Sequence, residues 1–156
     1  MKKWVIYLLS LTTIPILSFG GLGGEDVGGL HPVQVVMVRE ENDQLYLMTD
    51  TEDAGSGIDA HQAIQQMKDY ASGKVFLDTA DYVLLEAGSE IWLSQLSEYL
   101  RPSCSLCYAA GDVDLVEAGA YLKLHEPRLT LTQYQAGERH MPYLISEKGR
   151  LKLVQP

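Results

Sequence analysis

Two cysteines in the segment Cys104-Ser105-Leu106-Cys107 are the residues of this 156-residue chain whose spacing could do chemistry. A C-x-x-C pair can cycle between dithiol and disulfide when the first sulfur sits at a helix N-terminus, where the positive end of the dipole favours thiolate. This pair instead follows an apolar helical pattern and Arg101-Pro102, and it enters a strand pattern running from Cys104 to Ala110. Cys104 then lies near a negative helix end, which disfavours thiolate. In a regular strand the two Cα atoms would lie ~10 Å apart, beyond the roughly 7 Å that a disulfide spans. A bridge therefore requires a turn at Ser105-Leu106. Redox catalysis, a structural disulfide and two buried thiols stay open, and redox catalysis is the least expected.

The other chemical candidates are weaker. His31, His61, His125 and His140 show neither H-E-x-x-H nor H-x-H spacing, so no metal site is expected. The acidic segment Asp50 to Gly57 lacks the acids a calcium loop needs, with Ala54 and His61 at the fifth and twelfth places. It reads as a solvated loop ahead of a helix cap. Asp78 and Asp81 flank a tight turn and could share acid and base roles, but satisfying backbone N–H groups of that turn is the simpler reading. No G-x-S-x-G, P-loop or dinucleotide glycine pattern is present, so neither catalysis nor a cofactor is expected.

The elements that would carry these residues alternate between strand and helix. Pro32 to Val38 reads as a first strand, Asn42-Asp43 as a hairpin turn and Leu45 to Thr49 as its return. Asp59, with Gln62 three residues on, caps a helix whose apolar positions are Ala60, Ala63, Ile64, Met67 and Ala71. Lys74 to Leu77 and Tyr82 to Glu86 read as strands about a helical turn. A helix follows, capped by Ser89, with Ile91, Trp92, Leu93, Leu96 and Leu100 on its apolar face. After the cysteine strand come a helix packing Leu115, Val116, Ala118, Gly119 and Leu122, a short helix over Leu129 to Tyr134, and a hairpin. The hairpin joins Tyr143 to Ser146 and Arg150 to Val154 through Glu147-Lys148-Gly149. The expectation is an α/β (α+β-like) fold: a mixed sheet packed with three to four helices, plus a C-terminal β-hairpin.

The length suits one domain, and the 46% hydrophobic content suffices for a core. Net charge is −9 and the twelve Lys and Arg look scattered, which disfavours nucleic acid and electrostatic membrane docking. Residues 1–20 combine Lys2-Lys3, an apolar stretch interrupted by Pro15, and small residues at Ser18 and Gly20. This is the pattern of a signal peptide or N-terminal membrane anchor, with cleavage after Gly20 expected if it is removed. Residues 21–29 form a glycine-rich leader and residues 30–156 a single α/β domain.

The order of segments resembles the N-terminal domain of the spore-germination receptor C subunits, the Ger(x)C family. The segments that carry the resemblance are the helix HQAIQQMKDYASG, then KVFLDTADYVLLEAGSE, IWLSQLSEYLRPSCSLCYAAGDV and LTLTQYQAGERHMPYLISEKGRLKLV. It spans roughly residues 26 to 154 and lies in order and length more than in signature residues. The chain departs from the family in lacking a lipobox cysteine and further domains, and no functional residue carries over. The resemblance implies an extracytoplasmic, membrane-associated assembly role linked to sporulation or germination, and no catalysis. The resulting expectation is a non-enzymatic interaction or assembly module with a protein partner, meeting the membrane only through its N-terminal segment. The alternative is an exported thiol–disulfide protein using Cys104 and Cys107.

Overall fold

A computed structural model describes residues 30–156. The expected signal or anchor segment and the glycine-rich leader lie outside the described residues. Strand β1 (Leu30–Pro32) is followed by β2 (Val35–Glu41), β3 (Gln44–Thr49) and β4 (Ala54–Gly57). Next come helix α1 (Ala60–Tyr70), β5 (Lys74–Phe76), a 3-10 turn (Leu77–Thr79) and β6 (Tyr82–Leu85). A second 3-10 turn (Ser89–Trp92) runs into α2 (Leu93–Leu96). The chain continues through β7 (Ser105–Ala110), α3 (Leu115–Leu124), α4 (Leu131–Gln135), β8 (Tyr143–Glu147) and β9 (Arg150–Val154).

Seven strands form one mixed sheet in the order β4-β3-β2-β6-β7-β8-β9, and β1 pairs separately with β5. Strands β2, β6, β7 and β8 are mutually parallel, and antiparallel hairpins close both ends of the sheet. The expected α/β class, the mixed sheet with four helices and the C-terminal hairpin are all present.

The two sides of the sheet hold separate cores. On one face Val36, Val38, Leu45, Leu47, Val83, Leu85 and Leu106 meet α1 and α2, with Leu129 and Leu131 completing the layer. On the other, Val35, Met37, Leu84, Cys107 and Leu144 meet Leu115, Ala118 and Leu122 of α3. Alternate residues of the central strands thus point into different cores, as the pleat requires, and four consecutive buried apolar residues in β6 are the result.

Local sequence explains most boundaries. Asp59 accepts from the Gln62 N–H at 2.7 Å and starts α1. The β2–β3 turn puts Asn42 at φ 54° and Asp43 at φ 60°, the left-handed pair of a tight hairpin. Replacing Asp43 with Gly should therefore raise stability by about 0.5–1 kcal/mol, read as a higher urea midpoint with unchanged slope.

Some expectations shift. The strand expected over Pro32–Val38 divides into β1 (Leu30–Pro32) and β2 (Val35–Glu41), and the Asp50 carboxylate, which takes the Gln34 and Val35 N–H groups, fixes the start of β2. The loop over Asp50 to Gly57 contains β4. The helix after Ser89 breaks into a 3-10 turn and one α-turn, leaving Ile91 63% exposed. Its cap is Gly88 at φ 98°, not Ser89, whose side chain is buried. Val116 on α3 is likewise 63% exposed instead of packed.

Candidate functional site

Cys104 and Cys107 are both free and fully buried. Three positions apart on either side of a strand boundary, they point to opposite faces, Cys104 into the α1–α2 core and Cys107 into the α3 core. No turn occurs at Ser105-Leu106, which instead begins β7. Burial pushes the Cys104 thiol up to about 11, partly offset by the Arg101 guanidinium, and the Cys107 thiol up to about 12. Neither sulfur is placed to bridge the other in this strand, an arrangement that corresponds to the two-buried-thiols alternative.

The remaining sequence candidates do not converge either. Asp81 pairs with Arg101 instead of the turn N–H groups, and the turn is closed by Thr79 Oγ1 donating to the Phe76 and Val33 carbonyls. His61 lies 3.3 Å from the Tyr99 hydroxyl, His125 stacks on Tyr121, and His140 contacts Glu138 at 2.7 Å. No group of His, Cys, Asp and Glu among the described residues could hold a metal ion. The Asp50 carboxylate accepts the Gln34 and Val35 N–H groups, and Asp53 accepts the Thr51 hydroxyl.

A different set of residues does come together, where the cover of the first face runs out. Helices α1 and α2 and the Leu129–Leu131 segment roof the sheet from β4 to β7. Beyond them, the same face of β7, β8 and β9 presents the cross-strand rows Tyr108–Tyr143–Val154 and Ala110–Ile145–Lys152. Tyr143 is 47% and Val154 40% exposed. The Tyr108 and Tyr143 rings lie 4.9 Å apart, a favourable tilted contact.

Walls rise on the helical side. The Tyr108 hydroxyl donates to Glu90 Oε1, and burial together with that carboxylate raises the phenol well above its usual range. Nearby, the Trp92 indole N–H donates to Glu40 Oε2 at 3.0 Å, tying the second 3-10 turn to the end of β2. Tyr134 of α4 packs along the first core, and the Arg139 guanidinium stacks over its ring at 4.3 Å. Arg150 and Lys152 stand on β9 of the same face, with Lys148 in the turn. The opposite side of this hairpin is closed: Leu151 and Leu153 pack on the α3 core, and the Tyr121 hydroxyl accepts the Leu153 N–H at 3.1 Å.

No family model, curated protein or solved structure matches the chain. The site therefore rests on its own geometry. Tyrosines beside cations over an apolar floor are the composition of protein-binding surfaces, where Tyr and Arg dominate the energetics. Sequence reasoning missed this set. Its available signal was the strand YLISE followed by RLKLV, in which both alternating faces carry apolar residues although an edge hairpin needs only one.

Proposed function

We propose that this chain is a non-enzymatic, extracytoplasmic interaction and assembly module, linked to sporulation or spore germination, that engages a protein partner through the Tyr108–Tyr143–Val154 face. The observation that carries the interaction reading is that uncovered face: rigid aromatic side chains on regular strands, half-exposed, beside cations. The extracytoplasmic setting draws on the N-terminal pattern of residues 1–20, and the developmental setting on the resemblance to the germination-receptor C subunits. No helix among the described residues is long and apolar enough to cross a membrane, so a membrane link would run through the N-terminal segment.

Native electrophoresis of gently extracted protein tests the reading. Wild type should run in an assembly with other proteins, and the pair Tyr143→Ser, Val154→Ser should run alone while retaining its circular dichroism. The pair Cys104→Ala, Cys107→Ala should keep the assembly. Wild type migrating by itself would overturn the reading.

A further inference from the structure

We infer that the partner element received by this face is an acidic protein segment with apolar anchors, a conclusion that rests on the interaction reading above. The first ground is charge. From residue 139 onward the chain carries Arg139, Lys148, Arg150 and Lys152 against Glu147 alone, a net +3, whereas residues 1–138 carry −12. The fold concentrates this contrast, since β8 and β9 hold Arg150 and Lys152 beside the tyrosine row. Among the described residues, Lys148, Arg150 and Lys152 have no ion-pair partner.

The carboxylates nearest the site are already engaged. Glu90 accepts the Tyr108 hydroxyl. Glu138 accepts the Arg139 and His140 N–H groups and the His140 ring, which hold its carboxyl below the usual range. Glu147 is the cross-strand neighbour of Arg150 and offsets part of its charge. Hydrogen bonds from neutral groups leave the Glu40, Glu90 and Glu138 charges in place on the helical side. The positive surplus therefore lies at the β9 end, where Lys148, Arg150 and Lys152 face Glu147 alone.

The second ground is shape and surroundings. The floor of Tyr108, Tyr143, Ile145 and Val154 offers apolar contact for side chains, which a bare polyanion would not use. A nucleic acid carries charge along its whole length, about one per 1.7 Å of duplex axis, and would run off the small basic face onto a strongly acidic body. A short acidic segment meets only the complementary area. Docking on the face is also favoured over strand addition to β9, because the Tyr121 hydroxyl already occupies the Leu153 N–H on the outer edge.

Fluorescence anisotropy with the full chain tests this. The probes are a labelled synthetic peptide alternating Glu with Leu and Val, its Gln-for-Glu analogue and its Lys-for-Glu analogue. The Glu peptide should bind best and should weaken as salt rises. The pair Arg150→Glu, Lys152→Glu should lose about tenfold or more in affinity, Arg150→Gln, Lys152→Gln less, and Tyr143→Ser about tenfold. Equal binding of the three peptides, no binding, or variants indistinguishable from wild type would overturn the inference. So would tighter binding to anionic vesicles or duplex DNA, or self-association abolished by the same charge reversals. An assembly that depends on Tyr143 in native electrophoresis, with no affinity for the Glu peptide, removes this inference and leaves the interaction reading standing. A wild-type chain that runs alone removes the reading itself.

Discussion

Gly55→Ala is expected to cost about 3 kcal/mol or more and to lower the melting temperature by roughly 10 °C. A β-carbon at Gly55 would stand 2.1 Å from the Ala63 carbonyl oxygen, 2.7 Å from the Met67 nitrogen and 2.8 Å from Met67 Cβ. Two of these are helix backbone atoms, which cannot rotate aside. Gly57 is nearly as tight, 2.6 Å from the Ala63 nitrogen. Relief requires α1 to lift off β4, which would reopen the layer built by Ala60, Ala63, Ile64 and Met67. It would also break the hydrogen bonds from the Ser56 N–H and hydroxyl to Gln66 Oε1. With total stability of a domain at about 5–15 kcal/mol, that loss is a large share. Gly88→Ala is the control. Its φ of 98° strains any other residue by about 1–2 kcal/mol, but nothing lies within 4 Å of the added carbon. Urea unfolding followed by far-UV circular dichroism compares them, and equal costs would mean that α1 is not seated on β4 as described.

The same glycines explain where sequence reading stopped. Ala54-Gly55-Ser56-Gly57 has no β-branched or aromatic residue, so propensity marks it as loop. It is a strand because α1 must approach closely, and only glycine leaves room; that reason lies in tertiary packing and not in the segment. The second helix failed for a local reason. Its apolar spacing is helical, but the Ser94 and Ser97 hydroxyls donate back to the carbonyls of Ile91 and Ser94, a competing bonding pattern. Gly88 ahead and Pro102 behind leave little length to outweigh it. By contrast, the Asp59 cap, the Asn42-Asp43 turn and the Lys148-Gly149 turn depend on neighbours in sequence, and each formed where its residues predicted.

The candidate face was legible only in part. Its tyrosines come from β7, β8 and α4, which are brought together by crossovers that no short window reveals. Its cations look dispersed along the sequence, because Arg139 precedes β8 while Arg150 and Lys152 follow the turn. Pairing β8 with β9 is what sets Lys152 opposite Ile145, and Val154 opposite Tyr143. A count of basic residues in the chain as a whole averaged this asymmetry away.

Thiol labelling gives the second large effect. At pH 8 in native buffer, a shift from the ordinary 9.0 to about 11 lowers the thiolate fraction of Cys104 roughly 100-fold, and a shift to about 12 lowers that of Cys107 roughly 1000-fold. Burial adds a second barrier, since an alkylating reagent reaches either sulfur only when the structure opens. Both thiols should therefore resist iodoacetamide in native buffer and react promptly in urea, as read by intact mass. The linkage has a definite sign. The folded state keeps these protons to higher pH than the unfolded state, so stability is full below about 9 and falls as pH rises toward the folded values, by up to about 1.4 kcal/mol per unit for each thiol. Replacing both cysteines with alanine should flatten that part of the pH–stability curve. Prompt labelling of the native protein, or a bridge between Cys104 and Cys107 in its mass, would return thiol chemistry to contention. Slow labelling would leave the cysteines as packing groups on either side of β7.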